Sequence, residues 1–303
     1  MTRRKRKWTL VTLLLSVLVI TGMNQFTKWR AGVALREYAA QFSQEGTPNA
    51  TVLSMPRIFI GGEKKPHGVL LIHGVPASCS TFAALCDQLQ EEGIPHIAPT
   101  LTGFGNRELN LLPHVHYEDW LRDALVGYEM LAQCVEQISI VSTSTGGLVA
   151  TWLSGQREVD DMVLLAPNFS PGPTAARFKA ILETPVASQL LKVIMPYKFS
   201  DPEDFADTSR FRYPFFEVNS SEQMFLLQDA VDPDQIRVEQ GLYLITGRSD
   251  TKVSSNDLPA VLEEHARKHG KQFQAHEFES GHALLQGAAA EKVRALIVEI
   301  LKN

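Results

Sequence analysis

The chain has 303 residues, of which 44% are hydrophobic and 21% charged, enough for one large α/β domain, alone or with an inserted cap, beyond the first few dozen residues. A formal net charge of −5 argues against a nucleic-acid partner. The cysteines Cys79, Cys86 and Cys134 show no CxxC or Cys/His spacing, which argues against a disulfide framework and a zinc site.

A cationic cluster and an apolar run open the chain. Residues 3–7 are all Arg or Lys, and residues 8–23 carry no charge, as in a secretory signal or an N-terminal signal anchor. The apolar run is longer than a usual signal core but slightly short of the roughly 20 residues that cross a bilayer comfortably. We predict an uncleaved membrane anchor over residues 1–27, with the N-terminus cytoplasmic and the main domain outside, in the periplasm if the source is a double-membrane bacterium. Cleavage and release is the alternative.

Residues 28–49 lead from this segment into the rest of the chain. The stretch from Lys28 to about Glu45 predicts an amphipathic juxtamembrane helix. Gly46, Thr47, Pro48 and Asn49 mark a boundary. We therefore predict that the main domain covers residues 50–303.

Short apolar runs alternate with longer amphipathic ones from residue 50 onward. This alternation predicts a mostly parallel, doubly wound sheet with helices on both faces. The predicted strands cover residues 68–72, 94–99, 138–141, 162–166, 242–247 and 273–278. The predicted helices between them cover residues 82–92, 117–132, 258–269 and 291–301.

Residues 168–235 interrupt the alternation. Prolines recur through this stretch, and residues 174–182 and 187–194 have helical patterns. A disordered linker would not carry so many large apolar side chains, so we predict a small helical cap over the carboxyl end of the sheet. Its aromatic residues are Phe199, Phe205, Phe211, Tyr213, Phe215 and Phe216.

Ser144 lies in the most informative motif of the chain. Residues 138–150 run from an apolar strand through a turn of small residues into a helix. This resembles the nucleophile elbow of the α/β-hydrolase family, where the positions two before and two after the nucleophile must be small. Here these are Ser142 and Gly146, and Ser142 departs from the usual glycine. Alone, such a turn indicates only a helix N-cap, so its context decides.

Three further motifs resemble parts of the same family and stand at the ends of predicted strands. His73 and Gly74 resemble the dipeptide that opens the oxyanion loop, Asp250 lies in a G-x-x-D turn, and His282 follows Ser280 and Gly281. The order Ser, Asp, His is the one that the family requires.

The resemblance covers nearly all of residues 50–303 and implies an α/β-hydrolase fold. It also implies a catalytic triad of Ser144, Asp250 and His282. The backbone N–H groups of Val75 and Thr145 would form the oxyanion hole.

Other acids and a second histidine compete for the triad roles. Asp257 lies just downstream of Asp250, whereas Asp232 and Asp234 precede the predicted strand. Asn168 occupies the alternative acid position that some family members use, after the preceding strand. His276 falls within a predicted strand, so we expect a structural role for it. We expect a structural role for His73 as well.

A serine nucleophile with a triad histidine favours ester or thioester hydrolysis, and the chain most resembles the carboxylesterase and monoacylglycerol lipase group. The predicted anchor and the aromatic cap suggest a lipid-like acyl ester, such as a monoacylglycerol or a lysophospholipid, as substrate. The sequence indicates no metal and no organic cofactor. Two alternatives remain: an acyltransferase that uses the same acyl-enzyme, and a catalytically silent, membrane-tethered binding protein.

Overall fold

The computed structural model describes residues 3–40, 54–106, 109–199, 212–254 and 256–302. Two sheets occur in these residues. Their strands are β1 (Arg57–Phe59), β2 (Lys65–Ile72), β3 (His96–Ala98), β4 (Val135–Thr143), β5 (Met162–Leu165), β6 (Tyr197–Phe199), β7 (Phe215–Glu217), β8 (Gly241–Gly247) and β9 (Gln272–Phe278).

The main sheet has the strand order β1-β3-β2-β4-β5-β8-β9 and is parallel except for the antiparallel edge strand β1. The predicted doubly wound, mostly parallel sheet is thus confirmed. All parallel strands end at the same edge, so the loops after β2, β4, β8 and β9 meet there.

Helices cover both faces of this sheet, and the side-chain period of a strand explains how. Leu70 and Ile72 point into one apolar cluster, whereas Val69 and Leu71 point into the other. The helices are α1 (Arg3–Ala40), α2 (Ala83–Glu91), α3 (Tyr117–Ala132), α4 (Thr145–Ser154), α5 (Pro173–Leu182), α6 (Pro185–Ile194), α7 (Val218–Ala230), α8 (Leu258–Lys268) and α9 (Ala290–Lys302). The first cluster includes residues of α3, α4 and α8, and the second includes residues of α2 and α9.

The segment predicted as a cap, residues 168–235, contains α5, α6, the antiparallel pair β6–β7 and α7. Its aromatic rings pack on one another: Tyr197 and Tyr213 lie 5.0 and 5.5 Å from Phe215 between ring centroids. Phe205 and Phe211 of the predicted aromatic set lie outside the described residues. We call residues 168–235 the cap segment.

The N-terminal region forms one continuous helix, α1, where an anchor and a separate juxtamembrane helix are predicted. The predicted boundary at residues 46–49 lies outside the described residues. The second half of α1 packs on α6 and β6. Ala31 and Leu35 are buried there, and the Arg30 guanidinium lies 4.1 Å from the centroid of the Phe199 ring.

The predicted single-pass membrane anchor is wrong, because no helix among the described residues is both long and apolar enough to cross a bilayer. The run ends at Met23, before Asn24 and Gln25. The uncharged run of residues 8–23 lies within one helix and spans about 24 Å at 1.5 Å per residue, against about 30 Å of hydrocarbon. The membrane contact and the external location predicted above rested on that anchor and are withdrawn with it.

Candidate active site

Ser144 links the last residue of β4 to the first residue of α4 in a strained conformation. Its φ of 52° and ψ of −120° lie outside the regions that non-glycine residues favour, and such a residue costs about 1–3 kcal/mol. Three hydrogen bonds hold it there. The Ser144 N–H donates to the carbonyl of Leu165 at 2.9 Å, and its own carbonyl accepts from the N–H groups of Gly147 at 2.9 Å and Asn168 at 3.1 Å.

The turn around Ser144 leaves little room for side chains at the two positions that flank it at a distance of two residues. A Cβ on Gly146 would lie 2.2 Å from the carbonyl oxygen of Ile72, so this position requires glycine. Ser142 fits because it is the penultimate residue of β4 and is fully buried beside Ile72 of β2 and Leu164 of β5. Its hydroxyl has no hydrogen-bond partner among the described residues, a defect that costs about 1–3 kcal/mol.

The loop after β2 lies directly against this turn. A Cβ on Gly74 would lie 2.8 Å from the Cβ of Ser144, and the Gly74 N–H donates to the hydroxyl of Thr143 at 3.1 Å. Val75, which follows, is joined to Pro76 by a cis peptide bond. Thr145 is the first residue of α4, where backbone N–H groups have no partner within the helix. The two predicted oxyanion donors thus lie on neighbouring segments, one on the loop after β2 and the other at the N-terminus of α4.

His73 fixes the conformation of that loop. Its ring is fully buried, and its Nε2 accepts a hydrogen bond from the N–H of Leu101 at 2.9 Å. Its Nδ1 therefore carries the proton and donates to the carbonyl of Gly74 at 2.9 Å. Burial lowers the pKa of His73 to about 4, so the ring is neutral at physiological pH.

Asp250 and His282 come together from the loops after β8 and β9. The Ser249 N–H donates to the carbonyl of Ser280 at 3.0 Å and joins the two loops. The distance from His282 Nδ1 to Asp250 Oδ2 is 2.7 Å. The Asp250 side chain is 3% exposed, whereas that of His282 is 25% exposed, so the histidine ring is the accessible member of the pair.

Asp250 is held as a carboxylate. Its other oxygen, Oδ1, accepts from the N–H groups of Lys252 at 2.8 Å and Val253 at 3.3 Å. Burial alone would raise the pKa of Asp250, but the hydrogen bonds from His282 and from these two N–H groups outweigh it and hold the pKa below its usual range. Asp250 therefore stays ionised beside the imidazole.

The Ser144 hydroxyl is not joined to His282: among the described residues it makes no hydrogen bond. Such contacts are often loose without substrate and tighten when it binds.

The described contacts of the competing acids and of the second histidine do not involve Ser144 or His282. Asp232 accepts from the N–H of Asp234, and Asp257 stands at the N-terminus of α8. His276 lies within β9, and its Nε2 is buried.

Three residues brace the site from the cap segment, a role that sequence analysis did not predict for any of them. Tyr213 bonds to the loop after β2, Gln228 bonds to Asn168, and Asn168 bonds to Ser144. No sequence motif indicates these contacts, because Tyr213 and Gln228 reach partners 60 or more positions away along the chain. Within the described part of the chain, no three His, Cys, Asp or Glu side chains are placed to hold a metal ion.

Comparisons with known proteins agree with this architecture. A family model described as the alpha/beta hydrolase family matches residues 69–296. A search of curated protein sequences gave no match.

Solved structures of lipolytic enzymes are similar in fold. One from work on the metagenome-derived lipolytic enzymes LipS and LipT is 17% identical, with a TM-score of 0.67, over 82% of this chain and 97% of that one. The monoacylglycerol lipase of Paleococcus ferrophilus is 17% identical, with a TM-score of 0.58, over 81% and 98% of the two chains. The esterase EaEST of Exiguobacterium antarcticum is 18% identical, with a TM-score of 0.56, over 82% and 96%. At these identities the likeness concerns the fold.

Proposed function

The chain belongs to the alpha/beta hydrolase family, and from this premise we propose that it is a serine hydrolase that cleaves carboxylic esters through an acyl-enzyme. Residues 50–303 would form the hydrolase domain, with residues 168–235 as its cap. The proposed triad is Ser144, Asp250 and His282.

The observation that carries this proposal is the pair formed by a strained serine and a carboxylate-oriented histidine at one edge of the sheet. The hydrogen bond from His282 Nδ1 to Asp250 leaves the Nε2 lone pair free to act as a base. The strain at Ser144 is typical of a nucleophile elbow rather than of a helix cap. A serine that served only as an N-cap would use its hydroxyl to accept from the helix, and the hydroxyl of Ser144 makes no such bond.

In the proposed reaction, His282 Nε2 takes the hydroxyl proton as Ser144 Oγ attacks the ester carbonyl carbon. The oxygen of the tetrahedral intermediate accepts hydrogen bonds from the Val75 and Thr145 N–H groups, and one such donor typically stabilises the transition state by about 2.7–4 kcal/mol. His282 returns the proton to the alcohol oxygen as the carbon–oxygen bond breaks. A water molecule deprotonated by His282 then attacks the acyl group, and the acid leaves as Ser144 regains its proton.

We propose a lipid-like acyl ester as substrate. The cap segment supports this because α6 carries exposed apolar side chains, among them Val186, Leu190 and Val193. The substrate classes of the similar lipases and esterases point the same way. Turnover that rises from short to medium or long acyl chains would agree with the proposal.

The test is covalent labelling of the full-length protein with a fluorophosphonate probe, followed by hydrolysis of p-nitrophenyl esters from acetate to palmitate. We expect labelling of the wild type and none of Ser144→Ala. Ser142→Ala is the matched control: it removes a neighbouring serine hydroxyl that has no described partner, so labelling should persist. Loss of label in both variants, or in neither, would contradict the assignment of Ser144.

A further inference from the structure

Each proposed oxyanion donor shares a peptide plane with a carbonyl that is held in place. The Val75 N–H is coplanar with the Gly74 carbonyl, and the Thr145 N–H with the Ser144 carbonyl. In a trans peptide the two groups point in opposite directions, so whatever holds the carbonyl also aims the N–H. Both carbonyls accept hydrogen bonds, and from each of them a series of hydrogen bonds leads to the cap segment.

The first chain of contacts starts at Tyr213. Its backbone N–H donates to the carbonyl of Pro76 at 3.1 Å. The same peptide plane carries the Ala77 N–H, which donates to the Gly74 carbonyl at 3.0 Å. The plane that bears the Val75 N–H is thus held by two successive hydrogen bonds that begin in the cap segment.

The side chain of Tyr213 anchors that backbone. The ring is fully buried, and its hydroxyl donates to the Asn106 carbonyl at 2.6 Å and accepts from the Asn106 N–H at 3.0 Å. The Gly103 carbonyl lies at 3.2 Å from the same hydroxyl. The side chain of Tyr213 therefore ties the cap segment to the loop after β3, while its backbone N–H bonds to the loop after β2.

The second chain of contacts starts at Gln228 on α7. Its Nε2 donates to the backbone carbonyl of Asn168 at 2.8 Å and to Asn168 Oδ1 at 3.1 Å. The Asn168 N–H in turn donates to the Ser144 carbonyl at 3.1 Å, in the plane that bears the Thr145 N–H. Gln228 is itself buried, and Lys179 Nζ lies 3.4 Å from its Oε1, which fixes which end of the amide faces Asn168.

We propose that Tyr213 and Gln228 are positioning residues through which the cap segment aligns the two halves of the oxyanion hole. The inference rests on the function proposed above and adds a form of regulation to it: undocking of the cap segment would weaken the alignment of the oxyanion hole, because each carbonyl would keep only its other hydrogen bond, from His73 or from Gly147. Neither residue touches the reacting atoms, so each acts on the transition state through a backbone N–H.

The test compares Tyr213→Phe and Gln228→Met with two matched controls in the full-length protein. Tyr197→Phe removes the hydroxyl of another buried tyrosine, which packs on the same Phe215 ring and makes no hydrogen bond to the described residues of the loop after β2. Gln223→Met removes the amide of another buried glutamine on α7, which accepts from the Tyr117 N–H instead. Ester turnover, the rate of fluorophosphonate labelling and the thermal midpoint are measured for all five proteins and for Ser144→Ala.

We expect kcat and the labelling rate of Tyr213→Phe and Gln228→Met to fall about 10-fold with KM unchanged, a fraction of the roughly 100-fold or greater loss on removing a whole donor. The controls should keep wild-type kcat, and any change in thermal midpoint should not separate the two pairs. If the test variants match their controls while Ser144→Ala is unlabelled, the inference fails and the proposed function stands. If the wild type is neither labelled nor active, both fail.

Discussion

At the scale of single residues, His73 has a structural role that depends on its protonation state. Its neutral ring accepts from Leu101 and donates to Gly74, and a proton on Nε2 would break the first of these bonds. The lowered pKa of His73 therefore reflects the free-energy cost of protonating its ring in the folded protein. Sequence analysis could predict a structural role for His73 from the motif, but not the tautomer, because Leu101 is brought to the ring only by folding.

His73 should make the protein acid-sensitive in a defined window. In the unfolded chain histidine titrates near pH 6.5, whereas in the native state the pKa of His73 is about 4. Between these values the unfolded state binds one more proton, so this stability is fully present above about pH 6.5 and is lost as the pH falls through about 4. The loss amounts to about 3 kcal/mol.

Urea unfolding of the wild type and of His73→Asn from pH 7 to pH 4 measures this effect. The variant should be the less stable protein at pH 7, and the gap between the two should close by about 3 kcal/mol at pH 4. A gap that stays constant over this range would show that His73 does not carry the proton difference.

At the scale of elements, the close approach of the loops after β8 and β9 sets the Asp250–His282 geometry. A Cβ on Gly247, the last residue of β8, would lie 2.3 Å from the carbonyl oxygen of Gly281 and 2.5 Å from that of Ser280. Both are backbone atoms, so a side chain at Gly247 forces the loops apart.

Gly247→Ala should therefore lower kcat by about 100-fold, the loss typical of a displacement near 1 Å in a catalytic group. Gly281→Ala is the matched control in the facing loop, because a Cβ there meets nothing within 4 Å. It should stay within about two-fold of the wild type, since it needs no backbone shift. Equal kcat values for the two variants in a p-nitrophenyl ester assay would mean that the loop separation does not govern turnover.

The elements also show what sequence could and could not predict. The buried strands of the main sheet are continuous apolar runs, and each of the six predicted runs overlaps a parallel strand of the structure. Helix α7 was not predicted, because its buried face includes Ser220, Ser221, Gln223 and Gln228 and so lacks an apolar period. The two glutamines bond to Tyr117 and Asn168, which are distant in the sequence, whereas the two serines donate to the nearby carbonyl of Glu217.

At the scale of the whole molecule, α1 contributes to the core by its second half only. Leu35 is 2% exposed and belongs to the apolar cluster of the cap segment and sheet, whereas Val19, on the same helix, is 60% exposed. The prediction of a membrane anchor failed at this scale, since the helix is not apolar over a length that crosses a bilayer and its packed residues lie beyond the apolar run.

Leu35→Ala should lower the free energy of unfolding by about 2–4 kcal/mol, because it empties a packed site. Val19→Ala, an exposed position on the same helix, should change it by less than about 0.5 kcal/mol. Thermal or urea unfolding of the two full-length variants makes the comparison. Similar losses for both would mean that the packing of α1 on α6 and β6 adds no stability.

The packing of α1 has a practical consequence for anyone who produces this protein. The family match starts at residue 69, so a conventional expression fragment would begin shortly before it and would omit Ala31 and Leu35. The faces of α6 and β6 that these side chains cover would then meet solvent beside the apolar residues already exposed on α6. An exposed apolar patch of this kind promotes self-association. Low yield or precipitation of such a fragment would then be a fault of its design rather than a property of the hydrolase.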